Sequence, residues 1–404
     1  MNLVPWTPFS DPLAILALVL AGGFAIFSKG SFGPYPDLPV FLLYGLLIGP
    51  ILHLVILRPD GTVVAGLTMG AVFILFEGGR GLSSGMLENV FASIARLAGW
   101  GWLITATLVT LGAHFLFQTP WALSVLLAVI IANTDPTAVI PIMSSIAIRN
   151  QIKTTLQAES AFNDVLSSVA IGVMITLFAQ AVSSFAALST AISVALLHIG
   201  EGLIVGILMG ALGRLLGRRG ERWGLLSYVI APLGCYGILS IIGGNVYLGG
   251  FIAGITMRSL GPTPTVDPLW RTSLGGLARM TVFVLLGASF PLAAIATHWV
   301  LALGLTVLLI VIARPLTILG SLGTLIPRVW TLRELSFMMW VRETGAVSAV
   351  LAAQVAHQFP QWGHPVLAVA LMTVMITIGV QVPTTPYWAQ RLNILEPPRS
   401  PEEM

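Results

Sequence analysis

The chain of 404 residues is 56% hydrophobic and 9% charged, with a mean hydropathy of +0.93 and a formal net charge of +3. A soluble domain carries about 25% charged residues, so this composition excludes a soluble globular protein, and so small a net charge predicts no nucleic-acid partner. A single cysteine, Cys235, excludes an internal disulfide and a cysteine-based metal site; the six histidines are scattered, with no His-Glu-x-x-His among them, and no cofactor is expected.

Apolar runs of about 20 residues recur, which predicts helices; β-barrel strands would alternate over about ten residues. Breaking the chain at Pro, Gly and charge clusters gives about thirteen spans, so the expected fold is an all-α polytopic membrane protein forming a single transmembrane domain over 1–404. The first four spans run near 12–28, 38–57, 62–77 and 90–115. No basic region precedes the first, which therefore reads as a helix and not a cleaved signal. The fifth covers 121–147 and is interrupted at Asp135-Pro136; the sixth covers 154–181. Spans near 186–216, 223–243 and 245–258 follow, the last two hard to separate because of Gly243-Gly244 and Gly249-Gly250. The remaining four lie near 274–291, 296–320, 333–357 and 365–385. A short tail, 386–404, leaves no room for a cytoplasmic regulatory domain.

Lys and Arg counted loop by loop give the orientation. One set of alternate loops holds thirteen of them, from Lys29 to Arg333, with Arg391 and Arg399 in the tail, whereas the opposite set holds only Arg58. The N-terminus is therefore expected outside and the C-terminus in the cytoplasm. The basic block Arg214–Arg222 reads as a topology-setting loop against anionic lipid. It falls near mid-chain, where a connecting helix (about 186–216) would join two inverted six-helix repeats, about 12–181 and 223–385, with broken, crossing helices at the midplane. That plan recurs in transporters, with the substrate site near the midplane. Asp135 to Asp164 is 29 residues, and so is Thr344 to Thr373 in the second half.

The chemistry concentrates in two spans. A carboxylate at mid-bilayer costs at least about 2.5–3.5 kcal/mol, yet Asp135, Glu159 and Asp164 fall close together. Each limb of the fifth span is about 20 Å long, which puts the break near mid-membrane. Pro136 would end the first limb, and Asp135 would cap the second with Pro136 at its first position. Unwound backbone at that depth lines a cavity or lies buried in protein. Its freed carbonyls, the Thr134 hydroxyl and the Asp135 carboxylate are hard oxygen ligands for a small alkali cation. On the sixth span, Glu159, Asn163, Ser160 and Asp164 fall at about 0°, 40°, 100° and 140°, one polar arc continued by Ser167. Arg314 and Arg342 lie inside the eleventh and twelfth spans. Buried arginines need partners; Glu159 and Glu343 are available, and Arg314 or Arg342 is expected to pair with Glu159. Glu77 is expected to pair with Arg80. Glu201 has no reading, and His53, His114, His298 and His357 read as interfacial.

These residues resemble the monovalent cation:proton antiporters of the NhaP type, relatives of the animal sodium/proton exchangers. Thr134-Asp135-Pro136 matches the family's broken-helix motif, and Glu159-Ser160 followed by Asn163-Asp164 matches its Glu-Ser-x-x-Asn-Asp motif. Gly45–Pro50, Phe76–Gly79, Gly249–Gly254 and Phe283–Ala288 are weaker matches. The resemblance implies exchange of Na+ (or Li+ or K+) for H+ by a homodimer in a prokaryotic inner membrane. It also implies that Asp164 carries cation and proton in turn, that Asp135, Ser160 and the Thr134 main chain complete the cation site, and that Asn163 and Glu159 support it. Arg314 matches the family arginine of the eleventh span. Where the family commonly has Leu-Arg-Gly, this chain has Glu343-Thr344-Gly345, with Arg342 two residues early.

The expected mechanism is competition: one carboxylate holds either a proton or a cation, and only occupied states cross. The uncharged Asn163 beside Asp164 points to electroneutral one-for-one exchange, an analogy with relatives whose paired aspartates accompany electrogenic exchange. A K+/H+ antiporter of the same fold is the nearest alternative. An organic-anion/sodium symporter would need a roomier, less acidic site. An intramembrane enzyme is not expected, because no Gly-x-Gly-Asp pattern or Asp-rich diphosphate motif occurs.

Overall fold

The computed structural model describes residues 19, 21–23, 37–55, 61–82, 84–135, 143, 146–179, 185–261 and 268–396. The first expected span, 12–28, and the residues from Pro136 to Ile142 fall mostly or wholly outside these. Among the described residues no strand occurs, and one isolated bridge joins Ile148 to Leu395. Seven helices among the described residues are long and apolar enough to cross a membrane. Their exposed side chains are themselves apolar, for example Leu196, Ile204 and Leu208, each more than half exposed. A surface like that suits hydrocarbon, and the chain is an integral membrane protein.

In chain order the helices are α1 (Asp37–Leu46), α2 (Gly61–Gly81), α3 (Ser84–Arg96), α4 (Trp102–Phe117) and α5 (Trp121–Ile131). Then come α6 (Asn150–Ala179), α7 (Phe185–Gly217), α8 (Glu221–Ile242), α9 (Val246–Ser259) and α10 (Pro268–Ala288). The chain continues with α11 (Leu292–Leu308), α12 (Arg314–Leu322), α13 (Leu332–Trp340), α14 (Ala346–Gln358), α15 (Pro360–Ile376) and α16 (Val382–Arg391). Gly243, with φ 88°, stops α8, and the Asn245 side chain caps α9 by accepting from Leu248 N at 2.8 Å. That separates the eighth and ninth spans.

Glycine spacing sets close helix contacts. Gly202, Gly206 and Gly210 recur every fourth residue on α7, so they share one face, and that face lies on α9. A Cβ at Gly206 would stand 2.7 Å from Gly249 O, so only glycine permits this approach.

Four π-helical turns interrupt the spans, at Leu47–Ile51, Leu97–Gly101, Leu309–Ala313 and Thr377–Gln381. Three have a proline at hand, Pro50, Pro315 and Pro383, which removes an N–H from the ladder and frees a carbonyl. The turn at 97–101 contains Gly99 and Gly101 instead.

The twelfth span, placed near 333–357, is broken. The capping box Thr331–Glu334 starts α13, the backbone unwinds over 341–345, and α14 begins at Ala346. Two interrupted helices therefore meet in the core, at 132–135 and 341–345. Thr344 N donates to Thr377 Oγ1 at 3.1 Å, one turn beyond Thr373.

Candidate functional site

The two unwound segments hold each other. Asp135 N donates to Glu343 O at 2.9 Å, and the Asp135 carboxylate accepts from Ala346 N, also at 2.9 Å. Asp135 thus caps the N-terminus of α14, the opposite broken helix, where the helix dipole favours an anion. The expected cap on its own following limb lies outside the described residues.

The arginines take the negative ends. Arg342 Nη2 donates to Ile131 O (2.7 Å) and Asn133 O (3.2 Å), the carbonyls left by the end of α5, and its Nη1 donates to Thr344 Oγ1 (3.2 Å). Arg314 Nε donates to Met338 O at 3.1 Å, at the end of α13, and Gln381 Nε2 donates to Trp340 O at 2.6 Å. Orphan helix carbonyls at membrane depth must find donors, and here long cationic or amide side chains reach them from other elements.

Of the two arginines offered to Glu159, Arg314 is the partner. Nη1 meets Oε1 at 2.5 Å and Nη2 meets Oε2 at 3.1 Å, a bidentate pair with both side chains 2% exposed. Arg314 follows directly on the π turn at 309–313, and Trp102 follows that at 97–101. Both reach α6, since Trp102 Nε1 donates to Ser167 Oγ at 3.0 Å. The two spans touch at Thr105 and Thr317, whose hydroxyls are 2.7 Å apart. Glu77, expected with Arg80, has Arg279 Nη1 3.3 Å from its carboxylate, and the Arg80 guanidinium lies 3.8 Å from the centre of the Tyr228 ring. Of the histidines, His114 is tied to Thr119 O and stacked on Trp121.

The polar arc of α6 is buried throughout. Ser160 Oγ donates to Thr134 O, and Asn163 Nδ2 donates to Thr134 Oγ1 at 3.1 Å, so α6 grips the first break from below. A cavity of about 20 Å³ lies between the breaks, lined by Thr134, Asp135, Glu159, Ser160, Arg342 and Glu343 among others. That is room for one water-sized occupant. Asp164 is one helical turn beyond Ser160 and not part of this lining. It faces Asp135 and Asn133, is 4% exposed, and its Oδ1 has no hydrogen-bond partner. The structure therefore gathers all nine predicted site residues at the crossing, from Thr134 to Glu343. Sequence reasoning gave no role to Asn133 and missed Trp102 and Gln381. Of these only Asn133 carried a signal, an amide in the first unwound segment.

Gly345 is the tightest point of the crossing. A Cβ there would overlap the Asp135 carboxylate. Gly345→Ala is therefore expected to lower stability by about 1–3 kcal/mol, as overpacking does, and to cut any activity that needs Asp135 in place. The melting midpoint of the detergent-purified chain checks it, and an unchanged midpoint with wild-type activity would remove Gly345 from the clamp.

The family model described as sodium/hydrogen exchanger, transmembrane, matches residues 14–391. The chain belongs to that family. Among relatives of this exchanger-family chain, a K+/H+ antiporter NhaP from Alkalimonas amylolytica is 29% identical over 78% of this chain and 55% of its own length. The chain thus spans about half of that relative. A probable Na+/H+ antiporter 2 from Methanocaldococcus jannaschii is 25% identical over 95% of this chain and 97% of its own. The structure of the sodium proton antiporter MjNhaP1 from the same organism superposes with a TM-score of 0.77, covering 92% of this chain and 98% of that one at 24% identity. That likeness shows the NhaP fold.

Proposed function

We propose that this exchanger-family chain is a secondary antiporter that trades a monovalent alkali cation for H+ at Asp164. The observation that carries the reading is a buried carboxylate with one oxygen unpartnered, set against an unwound segment, while both nearby arginines are committed elsewhere. An acid held that way needs a neutralising occupant, and a proton or a cation serves equally; either excludes the other. Asp135, Ser160 and Thr134 are proposed to complete the cation's shell. Asn163 and Glu159 hold its frame, Glu159 through Arg314 and Asn163 through Thr134. The fixed cap between Asp135 and Ala346 lets the crossing move as one body while access alternates. Na+ is the proposed cation, with K+ as the second reading, because the relatives' names divide between the two. An organic anion is disfavoured by the buried carboxylates Asp135 and Asp164 at the proposed site.

The protein is further proposed to work as a homodimer in the inner membrane of a prokaryote, N-terminus outside, with repeats about 12–181 and 223–385. The matched π turns, each followed by a side chain that reaches α6, support the repeat. Exchange is proposed to be electroneutral, since Asn163 adds no second charge beside Asp164. The test is the purified chain in proteoliposomes with an internal pH dye, challenged with NaCl, LiCl and KCl. A pH change with at least one salt is expected; silence with all three overturns antiport. An electrogenic cycle would feel about 2.3 kcal/mol per charge per 100 mV. Little change in rate under a clamped 100 mV potential is expected, and a strong dependence refutes electroneutrality.

A further inference from the structure

Several side chains at the crossing leave buried polar atoms without a close hydrogen-bond partner, Asn133, Asn163 and Asp164 among them. Both amide atoms of Asn133, Oδ1 of Asn163 and Oδ1 of Asp164 make no close hydrogen bond, and the residues are 1, 2 and 4% exposed. Folded proteins leave few buried polar groups unmet, because each unmet group is costly. The ordinary use of an asparagine in a break is to bond backbone amides a few residues on, as Asn245 does for Leu248. Asn133 Oδ1 makes no such bond.

The surrounding contacts leave the amide little else to do. The Asn133 carbonyl is fixed by Arg342, and the next residue is held by Ser160 and Asn163, so the backbone under the side chain is set. The side chain itself faces Asp164, close enough for its Nδ2 to interact with that carboxylate, which leaves Oδ1 as the unanswered atom. Resting on the antiport reading above, we propose that Asn133, beside Asp164, is a direct ligand of the transported cation through its Oδ1 and a determinant of which cation is preferred. A carboxamide suits both halves of the cycle. Its oxygen is a hard, neutral ligand for an alkali cation, and the same oxygen accepts from the protonated acid when the cation leaves. Because the ligand is neutral, it adds selectivity without adding charge, which keeps the exchange one for one.

The experiment compares Asn133→Leu, Asn133→Ala and Asn133→Gln with wild type in proteoliposomes, titrating NaCl, LiCl and KCl. Heat of NaCl binding is measured on the same detergent-purified chains. Removing the oxygen (Leu, Ala) is expected to raise the apparent KM of the best cation about tenfold, about 1.4 kcal/mol, more than it lowers the maximal rate. The order of preference among the three cations should also change, and NaCl binding should weaken in step. Asn133→Gln should recover part of the loss. If Leu elutes as aggregate, Ala carries the comparison. KM and NaCl affinity within twofold of wild type, with the same preference order, overturn the ligand role. An equal loss of maximal rate for all three cations without a KM change also overturns it, as does failure of every variant to fold, because the residue is then structural. A wild-type protein silent with all three salts instead overturns antiport itself, and this inference with it.

Discussion

Asp164→Asn is expected to abolish exchange and to leave a folded protein. The amide has nearly the shape of the acid but can neither carry a proton between the two sides nor neutralise a cation. It also removes a charge from a site where Asp135 already repels it and burial opposes it. Stability should therefore hold or rise, with a melting midpoint in detergent no lower than that of wild type. Transport should fall to the level of protein-free liposomes for Na+, Li+ and K+ alike. The pairing of those two results matters, since a variant that loses both fold and activity says nothing about chemistry. Any salt-driven pH change above the liposome background in Asp164→Asn would take Asp164 out of the mechanism.

Much of this site is legible in the chain, because membrane cost makes polar residues conspicuous. Asp135, Glu159, Asp164, Arg314 and Arg342 each stand in an apolar run where no surface helix would need them, and every one is buried. The first break shows as Asp135-Pro136. The second, at 341–345, has no proline, only Arg342-Glu343-Thr344-Gly345, and a charged pair can sit on an intact helix. What ends α13 is tertiary: Arg314 and Gln381 reach its last carbonyls from distant spans. Partner choice is hidden for the same reason. Arg342, equally available to Glu159 on sequence, binds the carbonyls of Ile131 and Asn133, and Glu77 meets Arg279 from two hundred residues away. The π turns are half visible. A proline marks three of them, but nothing in Leu97–Gly101 tells a π turn from an α-helix with two glycines.

The second large effect is on assembly of the core. Arg314→Ala should destabilise the protein by about 3–5 kcal/mol, the usual result of breaking a buried pair from one side. Glu159 would be left charged at 2% exposure, and Met338 O would lose its donor. Of the side chains that reach the last carbonyls of α13 from distant spans, Gln381 alone would then remain, so the second break should loosen with it. Glu159→Gln is expected to cost less, because the amide can still accept from one guanidinium nitrogen. Replacing both, Arg314→Met with Glu159→Met, should recover a substantial part of the loss, since no charge remains buried. With the single variants Arg314→Met and Glu159→Met and with wild type, midpoints of the four proteins in detergent form a double-mutant cycle, and a coupling of about 2 kcal/mol or more is expected. Additive losses would mean the two residues act apart, and the hold of α12 on α6 would then rest on packing. The recovered double variant separates structure from chemistry: with Asp164 and Asp135 intact, it should regain measurable cation-driven proton movement along with its stability. A stable but inactive double variant would instead place the charged pair itself in the transport cycle, as a group that must stay ionised while the neighbouring acid changes occupant.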